Sequence, residues 1–148
     1  MRLLPPPRQP EMPPLSGVLE TALYVRDVPR SARFYQDIFG FETLTSDARF
    51  HALAVAGQQV LLLFDMAANN LPSVVSGGII PRHGGSGQLH LAFAIPAGSA
   101  DDWEKWLSQR GIPLENRVTW PRGAISLYLR DLDDHLIELA TPGLWEIY

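Results

Sequence analysis

The sequence predicts an α+β fold, in which two tandem βαβββ modules form one curved, mixed sheet. A β-rich segment, a helical segment and three short β-rich segments follow one another twice along the chain. Each helical segment ends at a glycine, and a glycine-rich segment separates the two copies. The copies share almost no identical residues, so the repeat is one of pattern.

Composition restricts the classes of protein to which this chain can belong. Its 148 residues fit one compact domain, and the absence of cysteine excludes disulfides, thiolate metal sites and cysteine nucleophiles. A net charge of -4 with no run of basic residues gives no support for nucleic-acid binding. The longest apolar run, "QQVLLLFDM", is too short to span a membrane, and the N-terminus lacks a secretory signal. We therefore expect a cytoplasmic protein without membrane partners.

The first segment, residues 1–16, has six prolines between positions 5 and 14. This composition predicts a poorly ordered N-terminal arm, which could also pack on a partner subunit. The rest, 17–145, reads as one domain made of module one at 17–65, a connector at 66–86 and module two at 87–145.

In module one, "VLETALYV" alternates apolar and other residues as a strand does. The helix "DVPRSARFYQDIFG" follows, with Asp27 as its N-cap, Pro29 in its first turn and Gly40 at its end. Three strands complete the module: "FETLTS", "RFHALAVA" and "QQVLLLFD", the last two separated by a turn at Gly57.

The connector, "MAANNLPSVVSGGIIPRHGGSG", contains five glycines. Such a segment indicates a mobile connection or a lid over a site. His83 within it could reach the site if the segment closes, but it is more readily explained as a solvent-exposed side chain.

Module two repeats the order of elements, beginning with the strand "QLHLAFAI". In the helix "SADDWEKWLSQRG", Ser99 and Asp102 have the spacing of a capping box, and Gly111 ends the helix. Trp103 and Trp106 lie at helical spacing and are expected in the core. The strands "IPLENRVTW", "AISLYLRD" and "HLIELAT" follow.

Equivalent positions approach each other in a tandem repeat with a pseudo-twofold axis. Glu20 in the first strand of module one matches His90 in module two, and Glu138 in the last strand matches Leu62. Glu20, His90 and Glu138 are acceptable ligands for a divalent ion, whereas Leu62 is apolar. Three protein ligands with open positions are typical of a catalytic metal, so the sheet is predicted to surround a metal-binding cleft.

Each of these residues also has an ordinary structural explanation. Glu138 could pair with an arginine of module two, for which the candidates are Arg117, Arg122 and Arg130. His90 could be a hydrogen-bonded core histidine, and Glu20 could face solvent. Candidate substrate-binding residues are Tyr24, Trp120, Arg122 and Tyr128, with Arg122 suited to an anionic group. Aromatic packing explains the other three equally well.

Three segments carry a resemblance to a known family: "ETALYVRDVPRSARFYQDIFGFETL", "LHLAFAI" and "SLYLRDLDDHLIELATPGLW". Over residues 17–145 the chain resembles the vicinal oxygen chelate superfamily, which includes glyoxalase I, extradiol dioxygenases, fosfomycin-resistance enzymes and bleomycin-binding proteins. The resemblance implies a metal in the cleft of the curved sheet, held by Glu20, His90 and Glu138, and a homodimer.

The chain departs from the better-known members at several positions. Leu62 stands where glyoxalase I enzymes usually have a fourth ligand. Glu20 replaces one histidine of the ligand set of ring-cleaving dioxygenases, which argues against extradiol chemistry and against fosfomycin-type transfer. The usual "DPDG" turn is "DLDD" at 131–134.

Two functions remain open at this point. The first is a glyoxalase-type lyase or isomerase, with a divalent ion (Ni, Zn, Mn or Fe) chelated by a small substrate and with Glu138 or Glu20 as the catalytic base. The alternative is a metal-free binding protein that sequesters a drug or metabolite, as bleomycin-resistance members do.

Overall fold

A computed structural model of the protein describes residues 11–67 and 71–148. The strands and helices of the described chain follow one another in this order: β1 (Glu20–Val25), α1 (Val28–Phe39), β2 (Glu42–Ser46), β3 (Phe50–Val55), β4 (Gln59–Asp65), β5 (Ser73–Val75), β6 (Gly78–Ile80), β7 (His90–Ala94), α2 (Ala100–Gln109), β8 (Asn116–Thr119), β9 (Ile125–Arg130) and β10 (Leu136–Ala140).

Each module contains one four-stranded mixed sheet, and the two sheets have the same topology. Module one has the order β1-β4-β3-β2 and module two the order β7-β10-β9-β8. In both, the first and last strands of the module are parallel neighbours, and the remaining pairs are antiparallel. The α+β class and the tandem βαβββ modules are thus confirmed. The strands form two four-stranded sheets, one in each module, where the sequence predicts one continuous sheet.

The strand register confirms the alignment of the two copies. Ala22 of β1 pairs with Leu62 of β4, and Ala92 of β7 pairs with Glu138 of β10. Leu62 and Glu138 therefore occupy equivalent positions, and so do the residues two places before the paired alanines, Glu20 and His90.

The α1 helix begins and ends where its sequence predicts. The Asp27 carboxylate accepts a hydrogen bond from the Arg30 amide at 3.0 Å, which caps the first turn. Gly40 adopts the left-handed conformation (φ 71°), and its amide donates to the Gln36 carbonyl. The buried face of the helix includes Phe34, Tyr35 and Ile38.

The capping box predicted for α2 is wrong. Ser99 occupies the N-cap position, but its backbone is helical (φ -94°, ψ -3°) and its side chain makes no capping bond. The Ser99 hydroxyl instead donates to the Pro96 carbonyl at 2.6 Å. A local turn with Pro96 thus competes successfully with the helix amides for this hydroxyl.

The two modules share one hydrophobic core, to which Trp103 and Trp106 are packed as predicted. The Trp106 indole N–H donates to the carbonyl of Ile38 in α1 at 2.8 Å, which joins the two helices. His135 is fully buried and joins the sheets: its Nδ1 accepts from the Leu89 amide at 3.0 Å and its Nε2 donates to the Tyr24 carbonyl at 2.8 Å.

The connector contains an element that the sequence interpretation missed, the β5–β6 hairpin. Val75 pairs with Gly78 around a two-residue turn, and β-branched residues flank this turn. The run "SVVSGGII" therefore carries a hairpin signal within the glycine-rich composition. Residues 68–70 of the predicted connector lie outside the described chain.

The predicted N-terminal arm is described only in part, because residues 1–10 lie outside the described chain. Residues 11–16 form no helix or strand and are exposed. Over 11–67 and 71–148, no helix has the length and apolarity needed to cross a membrane.

Candidate metal and substrate site

Glu138 is nearly buried on β10, with 5% of its surface exposed. Its Oε1 atom accepts two hydrogen bonds, from the Ser126 hydroxyl at 2.5 Å and from the Tyr128 hydroxyl at 3.1 Å. Both donors lie on β9, the antiparallel neighbour of β10. One oxygen of the carboxylate is thus fixed by the sheet, and Oε2 remains available for another partner.

That partner is His90, whose Nε2 lies 3.2 Å from Glu138 Oε2. The other ring nitrogen of His90, Nδ1, lies 2.9 Å from the Leu136 carbonyl oxygen. A carbonyl can only accept, so Nδ1 carries the hydrogen and Nε2 of a neutral ring presents a lone pair to the carboxylate. Two acceptors at this distance repel unless a proton or a metal cation lies between them.

This donor pair fits a divalent cation. One nitrogen and one carboxylate oxygen converge, and each is oriented by a hydrogen bond at its far side. The His90 side chain is 51% exposed, so the pair is open to solvent on one side. An ion bound here would have protein ligands on the Glu138 side and open positions on the other.

Two of the four predicted substrate-binding residues lie around Glu138. Tyr128 contacts its carboxylate directly, and Trp120 lies one step further away, where its indole N–H donates to the Ser126 hydroxyl at 2.8 Å. Burial, followed by the charge of the Glu138 carboxylate, raises the pKa of the Tyr128 phenol above its ordinary value. The Tyr128 hydroxyl thus remains a hydrogen-bond donor at neutral pH.

The arginines that could have paired with Glu138 have other partners. Arg117 bonds Asp101 and Glu104, and Arg130 forms a bidentate pair with Glu115. The guanidinium of Arg122 donates to the Leu144 carbonyl at 3.3 Å, near the C-terminus. The arginine-pair explanation of Glu138 is therefore wrong, and Arg122 as an anion-binding residue stays a prediction.

Glu20 lies in a different place from His90 and Glu138. It is exposed at the start of β1 and lines a cavity of about 660 Å³ on the sheet of module one. Within the described residues of one chain, no three histidine or acidic side chains form a group able to hold a metal ion. One chain thus brings together two of the three predicted ligands.

The cavity of module one has a sheet floor and a roof formed by the connector. Its lining is Glu20, Thr21, Ala22, Tyr24, Asp47, Arg49, Phe50, Leu62, Phe64, Ser73, Val74, Val75, Ile80 and His83. The Tyr24 hydroxyl is hydrogen bonded to Nδ1 of His83 at 2.8 Å, and the His83 ring lies edge-on to Phe64 at 4.5 Å. His83 is exposed and lines this cavity, which includes neither His90 nor Glu138, so its approach to the metal site stays a prediction.

Sequence reasoning missed two side chains of these sites, Ser126 and Arg49. Ser126 alternates with Tyr128 on the face of β9 that meets Glu138, so strand periodicity together with the β9–β10 pairing would have indicated it. Arg49 lies outside any strand, next to Phe50, and no local pattern signals its position at the cavity.

Comparisons with known proteins agree with this architecture. The family model of the Glyoxalase/Bleomycin resistance protein/Dioxygenase superfamily matches residues 17–139. Metallothiol transferases FosB of Staphylococcus haemolyticus and Staphylococcus epidermidis are each 28% identical over 131 residues, which is 88% of this chain and 86% of theirs.

Solved structures show the same relationship. Lactoylglutathione lyase from Agrobacterium tumefaciens superposes with a TM-score of 0.80 at 33% identity, covering 90% of this chain and 98% of that one. The fosfomycin resistance protein FosX from Listeria monocytogenes shares the fold, with a TM-score of 0.65 at 22% identity over 88% of this chain and 96% of that one. On the strength of the match over residues 17–139, the chain belongs to the Glyoxalase/Bleomycin resistance protein/Dioxygenase superfamily.

Proposed function

We propose that this protein is a glyoxalase-type, metal-dependent lyase or isomerase that acts on a small substrate with two neighbouring oxygen atoms. The observation that carries the proposal is the approach of His90 Nε2 to Glu138 Oε2 at 3.2 Å, two facing acceptors that require a proton or a metal cation between them. The 33% identity to a lactoylglutathione lyase over 90% of the chain supports the reaction class.

The proposed ligands are His90 and Glu138 of one chain and Glu20 of a second copy. A twofold dimer that places module one of each chain against module two of the other forms two identical sites. Each site then has three protein ligands and open positions for substrate.

The two carboxylates have different roles in this proposal. The divalent ion, when bound, polarises the substrate oxygens and stabilises negative charge that develops on them. Glu138 is fixed by Ser126 and Tyr128, which suits a ligand of constant position. Glu20 is exposed at the cavity and is free to turn, which suits a ligand that can leave the ion and act as the base that moves a proton of the substrate.

The test combines metal loading with an activity assay on S-lactoylglutathione. Protein stripped with a chelator is reloaded with Ni²⁺, Zn²⁺, Mn²⁺ or Fe²⁺, and metal content and turnover are measured in parallel. We expect about one ion per chain and turnover only in loaded protein. If none of the four metals binds saturably, the metal site is refuted. Metal uptake together with transfer of a thiol would instead reassign the reaction to the class of the FosB relatives.

A mixing experiment tests whether the site is shared between chains. Glu20→Gln and Glu138→Gln are each expected to be inactive. When the two variants are refolded together in equal amounts, half of the dimers are mixed, and each mixed dimer has one intact site. About a quarter of the wild-type activity should therefore return. A site contained in one chain would recover no activity at any ratio.

A further inference from the structure

The cavity of module one has the Glu20 carboxylate at one end and the Arg49 guanidinium, with the Asp47 carboxylate beside it, at the other. Glu20 stands at the beginning of β1, and Tyr24 lies four residues further along the same face. Tyr24 pairs with Phe64 across β4, and Phe64 pairs in turn with Phe50, the residue that follows Arg49. The four residues from Glu20 to Tyr24 span roughly 13 Å along β1. Arg49 lies beyond the level of Tyr24 and two strands away, so the two ends are at least that far apart.

Arg49 forms no ion pair with any carboxylate in the described chain, although it lies beside one. Asp47 Oδ1 is engaged by the backbone amides of Arg49 and Phe50, at 2.7 and 3.0 Å. The Arg49 guanidinium donates one hydrogen bond, to the Ser73 hydroxyl of the hairpin at 3.1 Å. Its other N–H groups are available to a ligand, and a guanidinium matches a carboxylate with two parallel hydrogen bonds.

The surface between the two ends is apolar and aromatic. Ala22 and Leu62 form the middle of the floor, and Tyr24 and Phe64 stack at 6.1 Å between ring centres. Val75 and Ile80, which share one face of the hairpin, face this floor from the roof. A volume of about 660 Å³ suits a ligand of roughly the size of a fused two-ring compound or somewhat larger.

We propose that this cavity binds elongated organic anions: compounds with a planar apolar body and a carboxylate group that Arg49 binds. This inference deepens the proposed function, on which it rests in one respect, because the oxygen-bearing end of such a substrate would extend toward Glu20 and the shared metal. Binding of the anion at Arg49 requires no metal. The charge of Glu20 at the far end lies beyond one Debye length at physiological salt.

The test compares three probes with the same body: 2-naphthoate, the neutral 2-naphthamide and the cationic 2-naphthylmethylammonium. Isothermal titration is performed on the full-length protein with chelator present. We expect naphthoate to bind about tenfold more tightly than naphthamide, because only the carboxylate can form a charge-assisted bidentate contact with Arg49. The cation should bind most weakly. Equal affinities for the anion and the amide, or no saturable binding of naphthoate, would overturn the proposal.

Variants locate the preference for anions. Arg49→Met should abolish it while Arg49→Lys retains most of it. The matched control is Arg33→Met, an exposed arginine of α1, which packs on the other face of the same sheet. Val75→Asp places a negative charge on a partly exposed lining position and should weaken naphthoate more than naphthamide. Val18→Asp, 69% exposed in front of β1, is its control.

These outcomes separate the inference from the proposed function. A preference for naphthoate that survives both Arg49→Met and Val75→Asp would refute the assignment to this cavity, even with metal binding intact. If Arg49→Met fails to fold, judged by circular dichroism, Val75→Asp decides alone. Loss of metal uptake with an unchanged, Arg49-dependent preference for naphthoate would refute the metalloenzyme and leave the anion site standing.

Discussion

At the residue scale, Glu138 shows how the sheet prepares one carboxylate for a cation. Oε1 accepts from Ser126 and Tyr128, and Oε2 faces a histidine nitrogen whose hydrogen lies on the other side of the ring. A buried carboxylate with no positive partner is costly, and here hydroxyl donors reduce that cost without satisfying both oxygens. The Oε2 atom, which accepts from neither hydroxyl, faces the place where we propose the metal.

Glu138→Gln tests this account. The Gln oxygen can accept from Ser126 and Tyr128, and its amide can donate to His90 Nε2, so we expect the metal-free protein to retain its melting temperature or gain a little. Metal affinity should fall at least about tenfold, or about 1.4 kcal/mol, because the charge is lost. Thermal melts and metal titrations, each with and without chelator, measure both effects. A lower melting temperature of the metal-free variant with unchanged metal affinity would contradict the ligand assignment.

Tyr35 makes a second residue-scale prediction. Its buried hydroxyl donates to Asp131 Oδ2 at 2.7 Å, while Asp131 Oδ1 accepts from the amides of Asp133 and His135. Tyr35→Phe leaves Oδ2 without its donor in a buried position, and we expect a loss of about 1–3 kcal/mol in the free energy of unfolding. Urea denaturation at neutral pH measures it.

The same pair predicts a dependence on alkaline pH. Burial, followed by the Asp131 charge, raises the pKa of Tyr35 well above its ordinary value of 10.0. A group whose pKa is raised on folding stabilises the protein below the unfolded pKa and loses this effect as pH rises beyond it. The difference in unfolding free energy between wild type and Tyr35→Phe should therefore shrink above about pH 10. A difference that grows with pH would contradict this assignment.

At the element scale, the connector shows that glycine composition alone does not predict the structure of a segment. Part of it pairs as the β5–β6 hairpin, and the part that follows lies over β1, with His83 bonded to Tyr24. Gly85 permits this approach, since a Cβ atom there would lie 2.3 Å from Cδ2 of the Tyr24 ring. The segment is thus held by a specific contact as well as by its ends.

Gly85→Ala should disrupt this contact. The added methyl group displaces the Tyr24 ring or lifts the connector, so we expect loss of the Tyr24–His83 hydrogen bond and faster amide exchange in residues 82–88. Gly77→Ala is the matched control, because its Cβ would meet nothing within 4 Å and its φ is an ordinary one. Hydrogen exchange followed by mass spectrometry measures both variants. Equal exchange in Gly85→Ala and wild type would show that the contact does not hold the connector.

At the scale of the whole molecule, we expect a homodimer. Module one exposes Glu20 and an apolar cavity, and module two exposes His90 beside Glu138. Near the chain end, Trp145 is 67% and Ile147 is 97% exposed, which adds apolar surface suited to a subunit contact. Sedimentation at micromolar concentration should give twice the mass of the chain. A monomer at high micromolar concentration would contradict the shared site.

The sequence by itself determined the two modules, the α1 caps and the equivalence of Glu20 with His90 and of Leu62 with Glu138. These features depend on local periodicity and on a repeat, which a single chain displays directly. Only the tertiary structure decided that His90 and Glu138 meet while Glu20 of the same chain lies elsewhere. It also decided that Arg49 joins the cavity. Such relations depend on strand register and on how the modules pack. The sequence alone does not show which distant residues these bring into contact.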